Sequence, residues 1–159
     1  MLQQLLARDV GAELDVSEVA EARMRGVNLI CGRMEDARVL GDRMQIEQVL
    51  VNLLDNAIKF NRPGGEVRIE AASAGNGRAR VSISDTGIGI PFEDQPRIFE
   101  RFYRVDKARS RAVGGTGLGL SIVKHVIERM GGSVGVESQL GKGSKFTITL
   151  PEAGKEAVS

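Results

Sequence analysis

The chain of 159 residues holds one cysteine, Cys31, one histidine, His125, one tyrosine and no tryptophan. A lone cysteine excludes an internal disulfide and any zinc site built from several thiolates. A lone histidine excludes a Ser/His or Cys/His catalytic pair unless His125 itself serves it. With no partner carboxylate or second ligand identifiable, His125 reads as structural. No apolar run approaches the roughly 20 residues of a membrane-spanning helix. The opening MLQQLLARDVGAELD carries acids early and has no uninterrupted apolar core, so it does not read as a secretory leader. An excess of one charge is missing too: 22 basic and 21 acidic residues leave +1, which argues against a bulk nucleic-acid binder. What the chain has in quantity is glycine, 20 residues, and they are clustered. With 42% hydrophobic and 27% charged residues, the composition is that of one folded domain, or one domain with a short arm.

Leu2, Leu5, Leu6, Val10, Leu14, Val19, Ala20 and Met24 fall near helical spacing and predict a helix over 2–24. Gly11 weakens it by about 1 kcal/mol against alanine. Short strands are predicted at Val27–Gly32 and Ala37–Leu40. Asp42 stands as N-cap before a strongly periodic run, Met44 to Phe60, that puts Ile46, Val49, Leu50, Leu53, Leu54 and Ala57 on one face. Pro63-Gly64-Gly65 stops that helix. Val67, Ile69 and Ala71 alternate with polar residues, as do Ala79, Val81 and Ile83, and Gly75-Asn76-Gly77 supplies a hairpin turn between them. From Thr86 to Gly119 sustained periodicity is missing, apart from a short helix near Glu93–Phe102. A loop of that length in a compact domain is functional or mobile. A helix over Gly117–Met130 follows. Two last strands carry Val134/Val136 and Phe146/Ile148/Leu150 around a turn at Gly141–Gly143, and Glu152–Ser159 read as a frayed tail. Helices mixed with mainly antiparallel hairpins predict an α+β fold, a two-layer α/β sandwich.

Four segments carry candidate chemistry. On the Met44–Phe60 helix, Gln45, Gln48, Asn52, Asn56 and Lys59 recur every three or four residues and form one stripe. Carboxamide oxygens are hard ligands suited to magnesium, and lysine supplies a point charge to phosphate. The same stripe also reads as the solvated face of an amphipathic helix. Asp85-Thr86-Gly87-Ile88-Gly89-Ile90 follows a predicted strand. There Asp85 can accept hydrogen bonds from a ligand amino group while glycines admit a flat ligand, or the segment is simply an Asp-led turn. Gly114-Gly115-Thr116-Gly117-Leu118-Gly119-Leu120 opens a helix, where bare backbone N–H groups bind phosphate. Its spacing does not fit a dinucleotide fingerprint, and no strand precedes it. Nor is there a P-loop: Gly141-Lys142 is followed by glycine, and Val136 stands at the first glycine position. Ile98-Phe99-Glu100-Arg101-Phe102-Tyr103-Arg104, with Lys107, Arg109 and Arg111, interleaves aromatics and cations. That pattern suits single-stranded nucleic acid, but near-zero net charge favours a lid over a charged nucleotide.

In this order, the segments resemble the ATP-binding catalytic domain of bacterial sensor histidine kinases, the fold shared with gyrase, heat-shock chaperone and mismatch-repair ATPases. The resemblance runs from about Leu2 to Pro151, a domain at 1–151 with a tail at 152–159. Glu47 to Phe60 resembles the family's N box, and Asp85 to Ile90 its first glycine box. Phe99 to Asp106 resembles its F box, and Gly115 to Leu120 its second glycine box. Each box alone is a weak to moderate signal; four in this order and at these intervals are specific.

The resemblance implies a twisted mixed, mainly antiparallel sheet covered on one face by helices, with a mobile ATP lid at about 91–115. It implies ATP and Mg2+ as cofactors. Asn56 would coordinate magnesium with Asn52 close by, Lys59 would contact phosphate, and Phe60 would pack near the adenine. Asp85 would accept the adenine amino group, flanked by Gly87, Ile88, Gly89 and Ile90. Tyr103 and Arg104 would face the nucleotide from the lid, Arg104 reaching the phosphates. Gly115, Thr116, Gly117, Leu118, Gly119 and Leu120 would line the polyphosphate, with the N–H groups of Gly117 and Gly119 presented to it. Asn52, Asn56, Lys59 and Arg104 are the implied catalytic set.

Hydrolysing members of this superfamily carry a glutamate one helical turn before the metal asparagine. Here that position is Asn52, which cannot act as a base near pH 7. Glu47 lies about 140° around the helix from it. This points to phosphoryl transfer in which positioning and charge stabilisation dominate and the nucleophile comes from elsewhere. The family's phospho-accepting histidine sits on a helical dimerisation segment, followed by an acidic residue, and His125 does not match it. The reading is therefore of a domain that binds ATP without phosphorylating itself. Its implied partners are the histidine acceptor domain of a parent kinase and, downstream, a response regulator, with no nucleic acid and no membrane contact. The fragment is expected to be a cytoplasmic monomer, from a parent of the kind that can be anchored in the bacterial inner membrane. A stand-alone serine kinase of the anti-sigma type and a non-enzymatic ATP-gated interaction module share the fold. The helix over 2–24 and the lid sequence Phe99–Asp106 fit the sensor kinases better.

Overall fold

The computed structural model describes residues 16–35, 38–105 and 119–152. Five strands, β1 (Asn28–Met34), β2 (Glu66–Gly75), β3 (Arg78–Asp85), β4 (Ser133–Gln139) and β5 (Gly143–Pro151), form one sheet in the order β1-β2-β3-β5-β4. β1 runs parallel to β2, and the other three pairings are antiparallel. The parallel pair needs a crossover, which is helix α2 (Arg43–Lys59). The other described α-helices are α1 (Val16–Arg25) and α3 (Gly119–Arg129).

The side chain of Asp42 starts α2 by accepting the N–H groups of Met44 at 2.8 Å and Gln45 at 3.4 Å. A cap of this kind contributes about 1 kcal/mol. One face of α2 buries Ile46, Val49, Leu50, Leu53, Leu54, Ala57 and Ile58, and α3 adds Val123, Val126 and Ile127. Both pack on the same face of the sheet. Two cross-strand rows supply its apolar surface, Ile69–Ile83–Phe146–Val136 and Ala71–Val81–Ile148–Val134. The opposite face carries Glu70–Ser82–Thr147–Gly135 between those two rows and, beside it, Arg68–Ser84–Lys145–Glu137, polar throughout. This is the two-layer arrangement that the alternation predicts.

Three expectations need correction. No strand forms at 37–40 among the described residues: Val39 makes a single antiparallel bridge with Glu152. Its side chain is buried, so its apolar character reports burial at the sheet's end and not a ladder. That bridge, with a Glu152 N–H bond to the Gly77 carbonyl at 2.8 Å, ties down the first residue of the predicted tail; 153–159 lie outside the described residues. The loop after Thr86 also opens with structure. Phe92–Arg97 form a 3-10 helix containing Pro96, whose missing N–H disfavours an α-helix over Glu93–Phe102. Beyond it Ile98 is buried, and the Phe99 ring meets the Phe146 ring edge-on at 6.2 Å. The predicted lid is thus anchored in the core at its beginning. Of the predicted helix over 2–24, the described part is Val16–Arg25.

Candidate functional site

On the helix-facing side of the sheet, the row beyond Ile69–Ile83–Phe146–Val136 is Val67–Asp85–Ser144–Ser138. The inward phase of three neighbouring strands therefore turns polar at one end of the core. The C-terminal end of α2 lies against this point: the Ile88 N–H donates to the Phe60 carbonyl at 3.1 Å. Asp85 ends β3 there, with one carboxylate oxygen, Oδ1, accepting the N–H groups of Gly87 at 2.9 Å and Ser144 at 3.2 Å. Among the described residues nothing donates to Oδ2. Burial pushes the Asp85 carboxyl above the usual aspartate value, and the Gly87 and Ser144 N–H groups pull it partly back. A carboxylate held by one oxygen, with the other directed elsewhere, is suited to accept an amino group.

The glycines beside Asp85 answer to the protein's own backbone. A Cβ on Gly87 would lie 2.4 Å from the Phe60 carbonyl oxygen. Gly89 has φ +71°, and a Cβ there would lie 2.1 Å from the Gln139 carbonyl oxygen. Close approach of the protein's own backbone is enough by itself to require glycine at both positions. Ile88 and Ile90 are half-buried, and Ile90 packs against the core.

Along the α2 stripe, Gln45 and Gln48 are exposed while Asn52, Asn56, Lys59 and Phe60 are half-buried. The stripe is covered only at the end that approaches Asp85. Neither Asn52 nor Asn56 donates to or accepts from a described residue through its carboxamide. Two unengaged amide oxygens one turn apart fit the hard, oxygen-preferring magnesium ion that also borrows phosphate oxygens. Among the described residues no group of three or more His, Cys, Asp or Glu could hold a metal. The Lys59 ammonium pairs with Asp55 at 3.1 Å, keeping it on this surface with protons to spare. Glu47 is paired with Arg43 at 3.1 Å.

In the lid segment the Tyr103 hydroxyl bonds the Asp94 carboxylate, and the Arg97 guanidinium sits 4.5 Å above the Tyr103 ring. Tyr103 is therefore engaged inside the segment, and its hydroxyl is pushed up chiefly by the bond to Asp94. Arg104 is half-buried and has a partner of its own. Phe102 is exposed with φ +62°. Gly115, Thr116, Gly117 and Leu118 lie outside the described residues. Gly119 and Leu120 open α3, and a Cβ on Gly119 would meet no described atom within 4 Å. His125 is exposed on α3.

Two polar groups escaped the sequence reading. Asn61 is buried. Its Nδ2 donates to the Glu66 carbonyl at 3.0 Å, and its Oδ1 accepts the Arg62 N–H at 2.9 Å and the Thr86 hydroxyl at 3.3 Å. Thr86 in turn accepts the Glu66 N–H at 2.9 Å, so the end of α2 is bonded to the start of β2 and the end of β3. Ser138 and Ser144 are the second group, with hydroxyls 2.8 Å apart. Extending the alternation Val134/Val136 and Phe146/Ile148 by one step toward the turn would have found them.

Comparison with known proteins places the site in context. A family model for histidine kinase-, DNA gyrase B- and HSP90-like ATPases matches residues 41–154. The sensor-like histidine kinase SenX3 of Mycolicibacterium smegmatis is 51% identical over 115 residues, 72% of this chain and 30% of that protein. Among solved structures, the mycobacterial sensor histidine kinase MprB has a TM-score of 0.78 at 30% identity, covering 95% of each chain. Histidine kinase ThkA in complex with the response regulator protein TrrA has a TM-score of 0.73 at 29% identity, over 96% of this chain and 40% of that one. The chain spans 30% of the length of SenX3.

Proposed function

We infer, for a chain that belongs to the histidine kinase-, DNA gyrase B- and HSP90-like ATPase family as an ATP-binding catalytic domain of the sensor histidine kinase type, that it delivers the γ-phosphoryl group of ATP to a histidine on a separate helical segment. The observation that carries this reading is Asp85. It is a half-buried carboxylate at the polar end of the core, fixed through Oδ1 by two backbone N–H groups, with Oδ2 left to accept the adenine amino group. The Asn52–Asn56 pair stands on the adjoining helix surface, where the polyphosphate would run.

Asn56, with Asn52 one turn earlier, would hold magnesium, which when bound neutralises charge on the phosphate oxygens. Lys59 supplies a further positive charge beside them, and Arg104 reaches the phosphates from the lid. Phe60 lies toward the base. Gly119 and Leu120 begin α3, whose N-terminal N–H groups favour an anion. Neither Asn52 nor Glu47 can activate water there: Asn52 is neutral and Glu47 is held by Arg43. The domain therefore binds and orients ATP while an incoming imidazole supplies the nucleophile, and the phosphohistidine serves a response regulator.

Calorimetric titration with a non-hydrolysable ATP analogue, with and without magnesium, tests the first half. One magnesium-dependent site per chain is expected; a folded chain that binds no nucleotide overturns the reading. Radiolabel transfer from ATP to an added histidine-bearing helical segment tests the second half. Label on a serine in its place would reject histidine as acceptor.

A further inference from the structure

Ser138 lies on the edge strand β4, outside every motif discussed so far, yet its hydroxyl joins two parts of the site. The Ile90 N–H donates to Ser138 Oγ at 2.8 Å. Ser138 Oγ donates to the Gly143 carbonyl at 3.0 Å and can accept the Ser144 hydroxyl proton across 2.8 Å. The backbone N–H of that same Ser144 donates to Asp85 Oδ1 at 3.2 Å. On the other side, Gln95 of the 3-10 helix donates through Nε2 to the carbonyls of both Ile90 and Ser138, each at 3.1 Å. A hydroxyl has one proton and two lone pairs, and here all are used. Ile90 opens the lid, and Asp85 holds the proposed base site.

We propose that Ser138 is a positioning residue that fixes the start of the lid to β5, whose Ser144 N–H holds Asp85, so that engaging an adenine amino group at Asp85 and tightening the lid root already bonded at Ile90 are one coupled event. Ser138 acts through Ser144 and Ile90 and touches no ligand. The proposal rests on the nucleotide reading above. Without the hydroxyl, the Ile90 N–H loses its acceptor and β5 can shift against the lid root. The Ser144 N–H then no longer holds Oδ1 in one place. The loss falls on recognition of the amino group more than on the phosphates, which are bound along α2 and α3.

The test compares ATP with purine riboside triphosphate, which lacks the 6-amino group, by calorimetry on the unmodified chain, Ser138→Ala and Ser138→Thr. Removing one relay hydrogen bond should weaken ATP about 3- to 10-fold in Ser138→Ala. The amine-free triphosphate should change by no more than about twofold, and threonine, which keeps the hydroxyl, should restore ATP binding. In the unmodified chain, ATP should slow amide exchange at Ile90, and the amine-free triphosphate should not. Equal weakening of both nucleotides, or unchanged ATP binding, overturns the proposal. Should Ser138→Ala fail to fold, Ile90 exchange in the unmodified chain decides: protection that ignores the 6-amino group overturns it. An unmodified chain that binds neither nucleotide overturns the nucleotide reading and this inference together; normal ATP binding with unchanged selectivity in Ser138→Ala overturns this inference alone.

Discussion

The carboxylate of Asp85 accepts the backbone N–H of Ser144 at 3.2 Å, a bond between residues 59 positions apart. Because that bond and the one from Gly87 fall on the same oxygen, Asp85→Asn can keep both through its amide oxygen. It then presents an NH2 group where the adenine amine needs an acceptor. Loss of a charge-assisted hydrogen bond of about 1.5–3 kcal/mol weakens ATP on the order of 10- to 150-fold. Calorimetry should show that loss beside a thermal transition within a few degrees of the parent. Unchanged affinity removes Asp85 from the base site.

Acid should reveal the same carboxyl. Burial raises its pKa, so it protonates at a higher pH than an ordinary aspartate. The part of ATP affinity that depends on the 6-amino group is full where Asp85 is ionised and is lost as pH falls through the raised value. Stability moves the other way: between the unfolded and folded pKa values, the unfolded chain is ionised while the native carboxyl still holds its proton. Rising pH therefore destabilises the fold through that window, and the cost is complete above it. Titrating ATP against purine riboside triphosphate from neutral pH to about pH 4 should narrow their ratio above the ordinary aspartate range, and Asp85→Asn should abolish the narrowing.

Much of this site was legible because the strands alternate. Ala79, Val81 and Ile83 define an inward phase, and the next inward position is Asp85; a carboxylate there is a signal in its own right. The capped α2 and its buried face were equally legible, since helical periodicity and an Asp cap are local. What escaped was non-local. Val39 looks like strand but only closes the sheet's end against Glu152, a pairing no window of sequence contains. The backbone neighbour that requires glycine at 89, the Gln139 carbonyl, comes from the end of β4, fifty residues along the chain. Ser138 and Ser144 read as ordinary strand serines until the register set them beside Asp85.

Gly89→Ala should harm both stability and nucleotide binding. The residue has φ +71°, and a Cβ would lie 2.1 Å from the Gln139 carbonyl oxygen, so backbone strain and a backbone clash combine. The cost should be about 2 kcal/mol or more. The movement that relieves it separates the Asp85 loop from the β4–β5 turn, so ATP affinity should fall with stability. Denaturant unfolding and calorimetry on the same sample check this; an unchanged midpoint would mean that the turn yields without resistance.

Leu53→Ala separates scaffold from recognition. Leu53 is 1% exposed on the face of α2 that packs toward the sheet. Its neighbour Asn52 sits on the stripe proposed for magnesium. Truncating a fully buried leucine removes transfer free energy and leaves a cavity, costing about 2–5 kcal/mol. In a chain of this size that lowers Tm by roughly 5–20 °C. The carboxylate of Asp85 is held by backbone N–H groups from Gly87 and Ser144, not by α2. Well below the lowered Tm, selectivity for ATP over purine riboside triphosphate should therefore persist even where both bind more weakly. Scanning calorimetry gives the first quantity and paired titrations give the second. A collapse of selectivity would show that α2 packing, and not the Asp85–Ser144 bond, sets the base site.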